Sequence, residues 1–220
     1  MKLLINGCSY AEVWGGKDLA KDLNLNLINL SKTGASNSRI FRTTIDYILE
    51  NDDIDTVILM LTFWDREEIR VDNDYFDYNP NGFRHNSDKL TEDYEKYIMN
   101  RYRYDFDNEQ CVINLLGRVL TTSAWLKSKN IKHVIFSAPG GYILPGEKRK
   151  DILKLEEACW SVSEIIDVRW SANQYLGELG ADGPNNDLPY NARHYYPTEF
   201  KPLDDKVKQW LAEMTSPAMR

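Results

Sequence analysis

The sequence predicts an α/β protein: a three-layer α/β/α sandwich around a central, mostly parallel sheet of five strands. Two observations predict it. Short apolar runs recur along the chain, separated by segments whose apolar residues fall at helical spacing, an alternation that builds parallel sheets through right-handed crossovers. The clearest run, Thr56-Val57-Ile58-Leu59-Met60-Leu61, is apolar after its first residue, as suits a central strand covered on both faces.

The elements follow in order. Lys2 to Ile5 reads as the first strand and breaks into Asn6-Gly7-Cys8-Ser9-Tyr10, with Trp14-Gly15-Gly16 opening the first helical pattern, continued by Leu19, Ala20 and Leu23. Leu25, Leu27, Ile28 and Leu30 mark a second strand, which ends in the polar loop Ser31 to Asn37, where Ser36 or Asn37 can cap the next helix. Ile40, Phe41, Ile45, Ile48 and Leu49 form the stripe of that helix. The third strand runs directly into Thr62-Phe63-Trp64-Asp65-Arg66-Glu67. Residues from about 70 to 108 are rich in Asp, Asn and Tyr and read as an insertion, a small aromatic satellite core covering the site, with a helix over Tyr94 to Tyr104. A long helix from Cys111 to Trp125, a fourth strand from Ile131 to Ala138 and a helix carrying Ile152, Leu155, Cys159 and Val162 come next. Ile165 to Val168 is a short fifth strand or the end of that helix. Ala181 to Asn191 is loop, and a helix with Val207, Trp210, Leu211 and Met214 closes the chain. With no repeat or linker, residues 1–220 form one expected domain.

Composition narrows the function classes. The net charge of -7, from 27 Lys+Arg against 34 Asp+Glu, argues against a nucleic-acid surface. No apolar run is long enough to span a bilayer, and the first run is too short for a signal-peptide core, so the expected setting is cytoplasmic, away from membranes. The three cysteines, Cys8, Cys111 and Cys159, are far apart and show neither metal-ligand spacing nor a disulfide framework. Cys8, beside Ser9, reads as a small buried residue under the turn, with a reactive thiol as the alternative. Asp77-x-Asn79-x-Asn81-Gly82 with Asp88 fits a calcium loop loosely, but an Asn-Pro-Asn-Gly turn explains the same letters, so no metal and no cofactor is expected.

In open parallel sheets, sites form beyond the carboxyl ends of the strands. The loops at Ser9, Gly34 and Thr62 to Arg66 therefore share one margin. A strand that breaks on Gly and delivers a Ser before a helix can expose a nucleophilic hydroxyl there. Of the histidines, His133 opens a strand at the remote end and His85 lies in the polar insertion. His194, just ahead of the last helix, is positioned to serve Ser9 as a base. Arg66 and Glu67 either bind a polar substrate group or pair to fix their loop, and Arg39 and Arg42 lie on a solvated helix face.

The set resembles the SGNH/GDSL hydrolase superfamily, in particular divergent phage and marine-microbial members. Gly7-Cys8-Ser9-Tyr10 resembles block I, whose Ser is the nucleophile. Asn29 through Gly34-Ala35-Ser36-Asn37 resembles block II, whose Gly lends a backbone N–H to the oxyanion hole. Thr62-Phe63-Trp64-Asp65 stands at block III and His194 at block V. The resemblance implies a flavodoxin-like sandwich and a serine esterase acting on a small-molecule or carbohydrate ester through Ser9 and His194. Two departures bear on chemistry: Trp64 stands where the family has its oxyanion Asn, and Asn191 where it has the Asp of block V. Asn37, Thr62 or Arg66 are the candidates for the missing donor, beside the N–H groups of Ser9 and Gly34. Asp187 or Asp182 are the carboxylates in reach of His194. Trp64, Asp65 and Arg66 are the expected substrate contacts. The competing readings are a catalytically silent relative that binds a ligand with the same loops, and a viral interaction protein that uses the insertion for contacts, including self-association.

Overall fold

The computed structural model describes residues 1–79, 82–83, 90–105, 107–138, 150–162, 166–171 and 200–213. In chain order the elements are β1 (Lys2–Gly7), α1 (Ser9–Trp14), α2 (Lys17–Asp22), β2 (Asn26–Asn29), α3 (Asn37–Glu50), β3 (Ile54–Leu61), β4 (Glu67–Val71), β5 (Asp74–Asn79), β6 (Gly82–Phe83), α4 (Glu92–Asp105), α5 (Asn108–Ser128), β7 (Lys132–Ser137), α6 (Lys150–Val162), β8 (Ile166–Ser171) and α7 (Lys201–Glu213).

Five strands form the central sheet in the order β2-β1-β3-β7-β8, joined by four parallel pairings. Strand periodicity sorts their side chains into two cores. Leu3 and Ile5 of β1, Ile58 and Met60 of β3, and Val134 and Phe136 of β7 pack with Ala11, Trp14, Leu19, Leu203 and Val207 of α1, α2 and α7. The alternate residues Leu4, Val57, Leu59, Leu61 and Ile135 pack with Ile40 and Phe41 of α3, Leu116 and Val119 of α5, and Ile152 and Cys159 of α6. The result is the three-layer sandwich expected from the sequence, with β8 resolving the fifth-strand alternative in favour of a strand. No helix among the described residues is long and apolar enough to cross a membrane.

This order puts the switch point between β1 and β3, where a doubly wound sheet opens a crevice at its carboxyl margin. The chain needs glycine at Gly7 to enter that margin: a Cβ there would lie 2.5 Å from the Ala11 Cβ and 2.7 Å from the Met60 carbonyl oxygen. The first helix begins at once, at Ser9, rather than at Trp14, and the Gly15-Gly16 pair divides it from α2.

The last helix returns to the same margin. Phe200 is buried in the core that holds Cys8 and Ala11. One turn on, the Trp14 indole N–H donates to Asp204 Oδ1 at 2.7 Å, and further along Lys208 Nζ lies 2.7 Å from Asp22 Oδ2 at the end of α2. Since α1 and α2 carry the chain from the carboxyl margin back to the start of β2, α7 runs the same way. β8 is parallel to β7 and ends at the carboxyl margin. Both flanks of residues 172–199 therefore lie there.

The segment expected as an insertion begins with an antiparallel hairpin, β4 to β5, extended by β6. Charge pins it to α3, while Phe76 is buried from the same hairpin. Arg42, expected on a solvated face, instead makes a two-point ion pair with Glu68, Nε to Oε2 at 2.8 Å and Nη2 to Oε1 at 2.7 Å, and lies 3.7 Å over the Tyr75 ring. Glu67 Oε2 accepts from the Ser38 hydroxyl at 2.5 Å and lies 3.7 Å from Arg118 Nη1, which also donates to Ser38. Glu67 thus fixes its loop. Among the insertion's described aromatic residues Phe76 is buried, whereas Tyr94, Tyr97 and Tyr104 of α4 are exposed and so stand outside any shared satellite core. Asp77, the first residue of the calcium-loop pattern, is a buried member of β5 opposite Glu68; Asn81 and Asp88 of that pattern lie outside the described residues. His133 is buried too, its Nε2 at 2.7 Å from Ser123 Oγ and its Nδ1 at 3.1 Å from the Ile131 carbonyl, a structural role remote from the margin.

Candidate functional site

Ser9 is buried and opens α1 directly beyond β1, with Cys8, also buried, as the residue before the helix. Gly7 pairs with Met60, so Ser9 and Thr62 stand level, each two residues past that pair, on neighbouring strand ends. Among the described residues nothing hydrogen-bonds the Ser9 hydroxyl.

The loop after β2 is drawn against Ser9 by bonds to residues on either side of it in sequence. The Lys32 N–H donates to the Gly7 carbonyl at 3.1 Å. The Thr33 N–H and hydroxyl both donate to Glu12 Oε2, each at 2.5 Å. The Ala35 N–H closes a turn onto the Lys32 carbonyl at 3.0 Å, and the Ser36 N–H donates to Asp77 Oδ1 at 2.9 Å. Gly34, at φ 78°, occupies the left-handed position that such a turn requires. Its N–H is therefore the one between Lys32 and Ser36 that has no acceptor among the described residues. Ser36 caps α3, its hydroxyl accepting from the Arg39 N–H at 3.1 Å.

Asn37 is not available as an oxyanion donor. Its carboxamide is buried and holds the loop after β3: Nδ2 donates to the carbonyls of Thr62 and Phe63 at 3.2 Å each, and Oδ1 accepts from the Thr62 N–H at 2.8 Å. The Thr62 hydroxyl differs. It is buried and has no hydrogen-bond partner among the described residues. A buried orphan hydroxyl is costly, on the order of 1–3 kcal/mol, and sites that bind ligands tolerate such a cost.

Of the expected substrate contacts, Trp64 is partly buried and packs against the α3 and α5 core. Arg66 lies 5.3 Å over the Phe63 ring, which is exposed at the margin. Burial pushes the Asp65 carboxyl above the usual carboxylate range, with the Arg66 charge opposing. His194, Asn191, Asp187 and Asp182, like His85, lie outside the described residues. Among the described residues no group of three or more His, Cys, Asp or Glu could hold a metal ion.

No protein-family model and no curated protein matches the sequence. Among solved structures the chain is similar to the psychrotrophic esterase EstA from Pseudoalteromonas sp., at 13% identity over 96% of this chain and 98% of that one, with a TM-score of 0.48. It is also similar to the acetyl xylan esterase AlAXEase, at 12% identity, 95% and 98% coverage and a TM-score of 0.49. A third likeness is to Est24, a carbohydrate acetylesterase from Sinorhizobium meliloti, at 12% identity, 97% and 100% coverage and a TM-score of 0.43. At these levels the likenesses carry no weight for activity, and the fold stands on this chain's own strand order and pairing.

Three residues at the margin escape a reading of the sequence. Asn6 is buried at the end of β1, its Nδ2 donating to the Ile40 carbonyl at 2.9 Å and its Oδ1 accepting from the Gly7 N–H at 2.9 Å. Asp77 and Glu12 hold the loop after β2, as above. For Glu12 a signal exists in Ser9-x-x-Glu12, the pattern of a capping box. It points the wrong way: the cap position is Cys8, and Glu12 turns outward to Thr33.

Proposed function

We propose that the chain is a serine hydrolase of the SGNH type that cleaves an ester of a small molecule or carbohydrate. The observation that carries this reading is the Gly34 N–H, left without an acceptor among the described residues in a loop whose neighbouring N–H groups are all engaged, beside a Ser that opens a helix at the switch point. The first N–H groups of a helix have no acceptor within it, so the Ser9 N–H supplies a second donor.

In this mechanism the Ser9 hydroxyl attacks the acyl carbonyl while His194 takes its proton. The oxyanion is held by the N–H groups of Ser9 and Gly34. The Thr62 hydroxyl is the third donor, in place of the family's Asn. His194 returns the proton to the departing alcohol, then draws one from water as that water attacks the acyl-Ser9 ester, and gives it to Ser9 Oγ as the acyl–oxygen bond breaks and the acid leaves. An imidazole near its ordinary, near-neutral pKa suits both transfers. Asn191, Asp187 or Asp182 orients the ring, and Asp65, Arg66 and the edge of Trp64 contact the substrate. His194 lies six residues before Phe200, a span of at most about 20 Å, so it is in reach of the margin.

Hydrolysis of p-nitrophenyl acetate tests the reading. Ser9→Ala and His194→Ala each lose on the order of 10³-fold or more in kcat. Hydrolysis by Ser9→Ala at the wild-type rate contradicts it. A second reading, a ligand-binding relative without catalysis, is favoured by the packing of Trp64 into the core and by the engagement of Asn37 with backbone. It predicts no hydrolysis by the wild type at all.

A further inference from the structure

Glu12 sits one helical turn past Ser9 on α1 and is solvent-exposed, yet its Oε2 takes two hydrogen bonds at 2.5 Å from Thr33, the residue before Gly34. An exposed side chain contributes little to folding stability, because water competes for both partners. What such a contact can do is fix geometry. The Gly34 N–H belongs to the peptide that links Thr33 to Gly34. That peptide is anchored upstream where the Thr33 N–H meets Glu12 and downstream where the Ala35 N–H meets the Lys32 carbonyl. The downstream anchor closes the turn on itself and does not refer it to Ser9. The link from Lys32, the first residue of the turn, to the Gly7 carbonyl ties the loop to the end of β1 and not to α1. Among the described residues, Glu12 is the side chain seen to connect the turn to the helix that Ser9 opens, so that the nucleophile and the Gly34 donor move as one body.

We infer that Glu12 is a positioning residue, whose carboxylate sets the Gly34 N–H relative to the Ser9 hydroxyl. This rests on the hydrolase reading. Glu12 touches neither substrate nor reacting atoms and takes no proton; an acceptor oxygen is what the position requires. A buried anchor such as Asp77 would show itself in stability, whereas Glu12 shows itself in the transition state, where a misplacement near 1 Å is felt strongly.

The test compares Glu12→Ala and Glu12→Gln in the full chain, reading kcat and KM on p-nitrophenyl acetate together with Tm. Glu12→Ala lowers kcat by roughly tenfold to a hundredfold, with KM and Tm close to wild type. Glu12→Gln, which keeps an acceptor oxygen at the same reach, recovers most of that loss. An active wild type whose kcat is indifferent to Glu12→Ala overturns this inference alone. So does a fall in kcat that Glu12→Gln shares in full, or one that only tracks a loss of Tm. A wild type without hydrolysis, and without Ser9-dependent activity, overturns it together with the hydrolase reading.

Discussion

Two carboxylates reach the loop between β2 and α3, one from each side. Asp77 comes from the hairpin, is buried, and holds the Ser36 N–H at the start of α3, with Arg39 Nε 4.0 Å away. Glu12 comes from α1, stands in solvent, and holds Thr33. The chemistry of the two contacts is the same, a charged acceptor on a backbone N–H. Their surroundings separate them. Loss of the buried acceptor strands an N–H where water cannot replace it, while loss of the exposed one frees a loop that water can solvate. The comparison teaches that one end of the loop is fixed by folding energy and the other by local geometry alone.

The largest expected effect is on the buried side. Asp77→Ala destabilises the protein by about 3 kcal/mol, measured by urea unfolding, because it leaves the Ser36 N–H unpaired and removes the anion beside Arg39. Asp77→Asn keeps an acceptor and costs less. If Asp77→Ala and Glu12→Ala prove equally mild in stability, the contrast between the two anchors fails.

Between them lies Gly34. Gly34→Ala forces a side chain onto a φ of 78° and costs roughly 1–2 kcal/mol by thermal unfolding. Its effect on kcat exceeds that of Glu12→Ala, since it shifts the donor itself.

A third carboxylate sharpens the role of burial through pH. Burial raises the Asp204 carboxyl above its ordinary value of 3.8, although the Trp14 hydrogen bond opposes the shift. A group with a raised folded pKa binds more protons folded than unfolded. Its contribution to stability is therefore complete below 3.8 and is lost as pH rises through the folded value. Asp204→Asn, whose amide oxygen still accepts from Trp14, is expected to match or exceed wild-type stability at about pH 7, and the advantage vanishes toward about pH 4. Urea midpoints at the two pH values check this.

The smallest effect is chemical. Cys111 has its thiol pushed up to about 11, chiefly by burial and then by the charges of Glu67, Asp107 and Asp65. The native protein therefore alkylates slowly at Cys111 with iodoacetamide near neutral pH, and urea releases the reaction.

The sheet was legible because strands buried on both faces must be apolar, and Val57 to Leu61 or Val134 to Phe136 admit little else. The margin was legible because Ser9, Gly34 and Thr62 each lie in the loop or turn that ends an apolar run. The hairpin was not, because Glu67-Glu68-Ile69-Arg70-Val71 packs through ion pairs to Arg42 and Arg118, and charges read as loop. The start of α1 at Ser9 was hidden by its length of six residues, too few to show a stripe. Asn37 looked like a donor because its engagement with Thr62 and Phe63 is a contact across 25 or 26 residues, which no local pattern displays.

The central claim is that the Ser9 hydroxyl is an activated nucleophile with an imidazole at its side. Incubation with a fluorophosphonate probe, followed by peptide mass spectrometry, asks this directly. The account predicts a single adduct on Ser9 in the wild type and its disappearance in His194→Ala. An unlabelled wild type, or an adduct on Ser9 that forms equally well without His194, contradicts it.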